Sequence, residues 1–74
     1  MILTKTKRAA IIEKLESWLE SNQFGYYIYV EDFEDIITDI MKSLDLDSYS
    51  NTRYFCKSWL ESHDHALDLS KSFA

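Results

Sequence analysis

Val30, Phe33, Ile36, Ile37, Ile40, Met41 and Leu44 recur at the three-and-four spacing that lines one side of an α-helix. A stripe this continuous is unstable in water, so the rest of the chain must supply elements that cover it. The pattern predicts a helix over about 32–44, with Asp32 as its N-cap and Asp35 as the acid three residues on. Glu31, Asp32, Glu34 and Asp35 then sit where the helix dipole favours negative charge.

Two further segments repeat the period. Ile11, Ile12, Leu15, Trp18 and Leu19 predict a helix over 6–21, capped by Thr4 or Thr6. Its stop is expected in Asn22-Gln23-Phe24-Gly25, where the single glycine would take the positive-φ position. Asp45-Leu46-Asp47-Ser48 reads as a turn and a fresh cap. Thr52, Phe55, Cys56, Trp59, Leu60 and His63 then predict a helix over about 49–62. Ala66, Leu67, Leu69 and Phe73 permit a short fourth helix or a docked tail.

Between the first two helices, Tyr26-Tyr27-Ile28-Tyr29-Val30 is rich in aromatic and β-branched residues and reads as a short strand or an ordered aromatic loop. A strand here would turn Phe24, Tyr26, Ile28 and Val30 inward and Tyr27 and Tyr29 outward. It needs an edge to pair with, and Met1-Ile2-Leu3-Thr4 or the same segment of a second chain are the candidates. The expected architecture is therefore all-α or mainly α, a small three- to four-helix domain with one short extended segment near residues 24–30. Residues 1–74 form a single helical domain, because a second core would need roughly 50 more residues.

A chain of 74 residues buries only about 63% of its unfolded surface, so the core is thin. The sequence contains no proline, no low-complexity stretch and no linker. Ser-Trp-Leu-Glu-Ser occurs twice, at 17–21 and 58–62, but the flanks differ, and similar helix ends explain it better than a repeat.

The net charge of −5 is unevenly spread. Residues 1–14 carry Lys5, Lys7, Arg8 and Lys14 against Glu13, whereas residues 31–47 carry seven carboxylates against Lys42. This balance opposes non-specific attraction to nucleic acid or an anionic bilayer. A single cysteine forms no internal disulfide, which favours a reducing, cytoplasmic location. No apolar run is long enough for a membrane span or a signal-peptide h-region.

Chemistry-bearing motifs are sparse. His63-Asp64-His65 places its histidines on different helical faces, so neither a metal nor another cofactor is expected. Cys56 lies within an apolar seam and reads as core. Phosphate loops, paired CxxC motifs and a nucleophile elbow are absent, and enzymatic activity is not expected.

Recognition remains. Tyr27 and Tyr29, with the acidic stripe Glu31, Glu34, Asp35 and Asp39, suit a protein partner, in particular a basic one. The expectation is a non-enzymatic protein-binding domain that acts as adaptor or inhibitor of a larger partner. Self-association through residues 24–30, or through the open face of the first and third helices, would make it a homodimer. The alternative is a small helix-turn-helix regulator whose Asn51, Arg53, Tyr54 and Lys57 reach nucleic acid. The surrounding acidity makes nucleic acid the less favoured partner.

Overall fold

A computed structural model of the chain describes residues 3–68. Three helices and two short strands follow in the order α1 (Lys5–Asn22), β1 (Tyr27–Tyr29), α2 (Val30–Leu44), α3 (Tyr49–Ser62) and β2 (Ala66–Asp68). The domain is mainly helical, as the periodicities require. Among the described residues no helix is long and apolar enough to cross a membrane.

α2 buries Phe33, Ile36, Ile37 and Ile40, the centre of its stripe. It starts two residues earlier than expected and is not capped by Asp32. β1 runs straight into the helix, so the extended backbone of Tyr29 occupies the N-cap without a capping bond from its side chain. Asp32 falls instead in the first turn with Glu31, where both carboxylates complement the positive pole.

α1 buries only Ile11 and Leu15 completely, with Trp18 and Leu19 packed at the core's margin. Thr4 caps it by accepting the Lys7 amide at 3.2 Å. Its stop falls within the expected stretch, but the left-handed residue is Gln23 (φ 52°), which donates its N–H to the Leu19 carbonyl. The Asn22 side chain closes a second free carbonyl by donating to Trp18 O at 2.8 Å. Gly25 has no positive φ, and a Cβ built on it would meet nothing within 4 Å.

α3 has the expected bounds. Ser48 accepts the Asn51 amide at 3.3 Å, and the buried Thr52 hydroxyl donates to Ser48 O at 2.8 Å. Thr52, Cys56 and Leu60 face the core. His63, expected on the same seam, is exposed and stacks on Trp59 with ring centroids 4.0 Å apart.

β1 does pair, and among the described residues its partner is one the residue pattern did not single out; Met1 and Ile2 of the expected Met1–Thr4 edge lie outside the described residues. β1 forms a two-stranded parallel sheet with β2, in the register Tyr27↔Ala66, Ile28↔Leu67 and Tyr29↔Asp68. Residues 66–68 are therefore a strand and not a fourth helix, while Leu69 and Phe73 lie outside the described residues. Two bonds pin the entrance of the sheet: the Ala66 amide donates to Tyr26 O, and His65 Nδ1 donates to Gly25 O, each at 2.9 Å. The two Ser-Trp-Leu-Glu-Ser segments close α1 and α3, the helices that lead into the two strands.

Only Ile28 of the segment is fully buried. Tyr26, expected inward, is exposed because the regular pleat begins at Tyr27 and the preceding residues bend. Phe24 rests on Trp18, with ring centroids 4.7 Å apart.

Ile28→Ala should therefore lower unfolding free energy by about 2–5 kcal/mol, since it opens a cavity where the sheet meets the helices. Gly25→Ala should change it by no more than about 0.5 kcal/mol. Urea titrations of both variants followed by circular dichroism provide the check.

Candidate functional site

Among the described residues every large exposed hydrophobic side chain is a tyrosine: Tyr26 (57% exposed), Tyr27 (64%), Tyr29 (51%), Tyr49 (47%) and Tyr54 (75%). The described phenylalanines and tryptophans are all buried or half-buried. The thin core thus takes the phenylalanine and tryptophan rings and leaves outside those that carry a hydroxyl. Tyr26 and Tyr27 meet edge to face, with ring centroids 4.8 Å apart. With Tyr29 they form an aromatic patch at the point where β1 enters α2.

The six residues proposed as one protein-binding set do not share one role. Tyr27, Tyr29, Glu31 and Asp35 are exposed around the start of α2. Asp39 also faces outward, and Lys14 of α1 approaches it at 3.8 Å. Glu34 belongs to the contact between α2 and α3: it accepts from Arg53 Nε at 2.7 Å and from the Tyr49 hydroxyl. Sequence spacing places Glu34 beside Glu31 and Asp35, but only the position of α3 shows that it is already engaged.

Burial works to raise the Glu34 carboxyl, but the hydrogen bonds from Tyr49 and Arg53 and the Arg53 charge outweigh it and hold the pKa below the ordinary value. The bond to Glu34 is likewise the main cause of the raised pKa values of Tyr49 and Arg53. Arg53 also lies over the Phe33 ring, 5.2 Å from its centroid. The group is a polar clamp between two helices.

The clamp divides the alternative set. Arg53 is taken by Glu34, and Lys57 pairs with Glu61 at 3.1 Å. Asn51 and Tyr54 instead line a groove of about 270 Å³ with Leu3, Arg8, Phe55 and Ser58. Arg8, absent from both residue sets, is brought there by the packing of α1 against α3. The uncompensated cations Lys5, Lys7 and Arg8 in the sequence were the available signal.

Among the described residues, no three His, Cys, Asp or Glu side chains come together to hold a metal ion. The His63 ring is turned to Trp59 O at 2.7 Å, whereas His65 reaches Gly25. Cys56 is a free, fully buried thiol whose pKa desolvation pushes up to about 12.

Glu34→Gln should destabilise the fold by about 1 kcal/mol at neutral pH. Because the folded carboxyl titrates below its unfolded value of 4.5, its contribution is present above that value and lost as pH falls through the lowered one. The gap between wild type and variant should therefore close on acidification, as measured by urea titrations across that range. Cys56 should resist a thiol-alkylating reagent at neutral pH until denaturant is added, which mass spectrometry will show. No protein-family model, curated protein or solved structure matches this chain.

Proposed function

We propose that the protein is a non-enzymatic recognition domain that holds a basic protein partner against Tyr26, Tyr27, Tyr29, Glu31 and Asp35, acting as adaptor or inhibitor of that partner. The observation that carries this reading is the selective exposure of tyrosine, with three of the exposed rings gathered beside the acidic start of α2. Tyrosine suits such a face because its rigid ring loses little entropy on contact and its hydroxyl remains available for hydrogen bonding. Carboxylates at the rim that have no ion-pair partner among the described residues would act mainly on association rate and partner choice.

Charge placement supports the same reading. The basic start of α1 and the aromatic, acidic start of α2 lie toward opposite ends of α1, a helix of 18 residues and hence about 27 Å. A basic partner is therefore drawn to one end and repelled from the other. The single buried thiol fits a reducing, cytoplasmic setting.

The test is capture from native host extract on the tagged protein, with and without nuclease, using wild type and a Tyr27→Ala/Tyr29→Ala variant. A protein retained after nuclease by wild type, and about tenfold less by the variant, supports the reading. Nucleic acid retained without nuclease, and released by Arg8→Ala/Tyr54→Ala but not by the Tyr27/Tyr29 variant, would overturn it in favour of a nucleic-acid reader on the α1–α3 groove.

A further inference from the structure

Among the described residues the two-stranded sheet has an open side, and its register shows which groups lie there. Successive residues of a strand turn their N–H and C=O groups to opposite edges. The Tyr26 carbonyl accepts from Ala66, and Tyr27 is the register partner of Ala66, so Tyr27 directs its own N–H and C=O away from β2. Among the described residues no third strand covers that edge, and the backbone of Tyr27 has no hydrogen-bond partner. Ile28 anchors the strand from the inner face, while the rings of Tyr27 and Tyr29 are exposed on the other.

We infer that this edge of β1 accepts an extended basic segment of the partner as a third strand. This inference rests on the proposed recognition face and specifies how it binds. Main-chain bonds to Tyr27 supply register, and alternate side chains of the segment lie across the tyrosine rings. Lysine or arginine is suited to those positions twice over: its cation is attracted to an aromatic face, and Glu31, Asp32 and Asp35 in the adjoining turns of α2 have no ion-pair partner among the described residues. A second copy of this chain fits less well, because its β1 would bring the same three carboxylates toward these. The short strand and the adjoining acids also protect the free protein against edge-to-edge pairing.

The experiment uses the full isotope-labelled chain and three synthetic probes: a short alternating Lys-Val peptide, its Glu-Val counterpart, and a helical Ala-Lys peptide. Affinities come from fluorescence anisotropy, and strand addition from the exchange rate of the Tyr27 amide. Lys-Val should bind best and slow exchange at Tyr27. Tyr27→Pro, which removes an N–H not used in the ladder to β2, should weaken that binding about tenfold, whereas Tyr27→Phe should preserve it. If Tyr27→Pro fails to fold by circular dichroism, amide protection in wild type decides.

If the Ala-Lys peptide binds as tightly as Lys-Val and the Tyr27 amide stays unprotected, strand addition is overturned while the basic-partner reading stands. Failure of both basic peptides to bind overturns both. Protection of the Tyr27 amide on concentrating the protein alone, with dimer formation in sedimentation, overturns the choice of occupant in favour of a second copy.

Discussion

The apolar face of α2 is the surface on which the other elements assemble. Phe33, Ile36, Ile37 and Ile40 are buried together with Ile11 and Leu15 of α1, Ile28 of β1, and Cys56 and Leu60 of α3. Both other helices and both strands pack against it. α1 shows how far the dependence goes. Cations occupy its first turn, no basic residue lies in its last, and only two of its side chains are fully buried. Its intrinsic electrostatics oppose the helix dipole, so tertiary packing on α2 carries most of its stability.

Much of this was legible in the order of residues, for identifiable reasons. Helical period is local information, and α2 and α3 repeat it over several turns, so their existence and most of their boundaries could be read directly. Ser48 capping α3 was legible for the same reason: its bond to Asn51 spans three residues. Strand pairing is different. Nothing within Tyr26–Val30 specifies Ala66–Asp68, which comes into register only after α2 and α3 have been laid down between them. The inward assignment of Tyr26 failed for a related reason, because alternation is a property of a regular strand and this one is three residues long. Within the expected stop of α1, the left-handed residue is Gln23 and not Gly25.

The candidate face was partly visible in the same sense. A run of tyrosines beside a run of acids is a composition signal, and Tyr27, Tyr29, Glu31 and Asp35 emerge on the surface together. The polar clamp was hidden, since Glu34 is separated from Tyr49 and Arg53 by a whole turn between helices. Its effect is to remove one acid from the exposed stripe and one cation from α3. Glu31, Asp32 and Asp35 still leave the start of α2 acidic, so the charge difference from the Arg8 groove survives but is smaller than residue order alone suggests.

The parallel connection has a consequence for how the fold is reached. Joining β1 to β2 in a disordered chain would close a loop of residues 30–65 against an entropy of about 3 kcal/mol, for a handful of hydrogen bonds. The sheet is therefore a poor nucleus and should form after α2 and α3 have docked and brought its strands within reach. In the native state β2 is held not by the ladder alone but also by Leu67, which packs against the core. The persistence of β1 as a strand is therefore set by a segment nearly forty residues away in sequence.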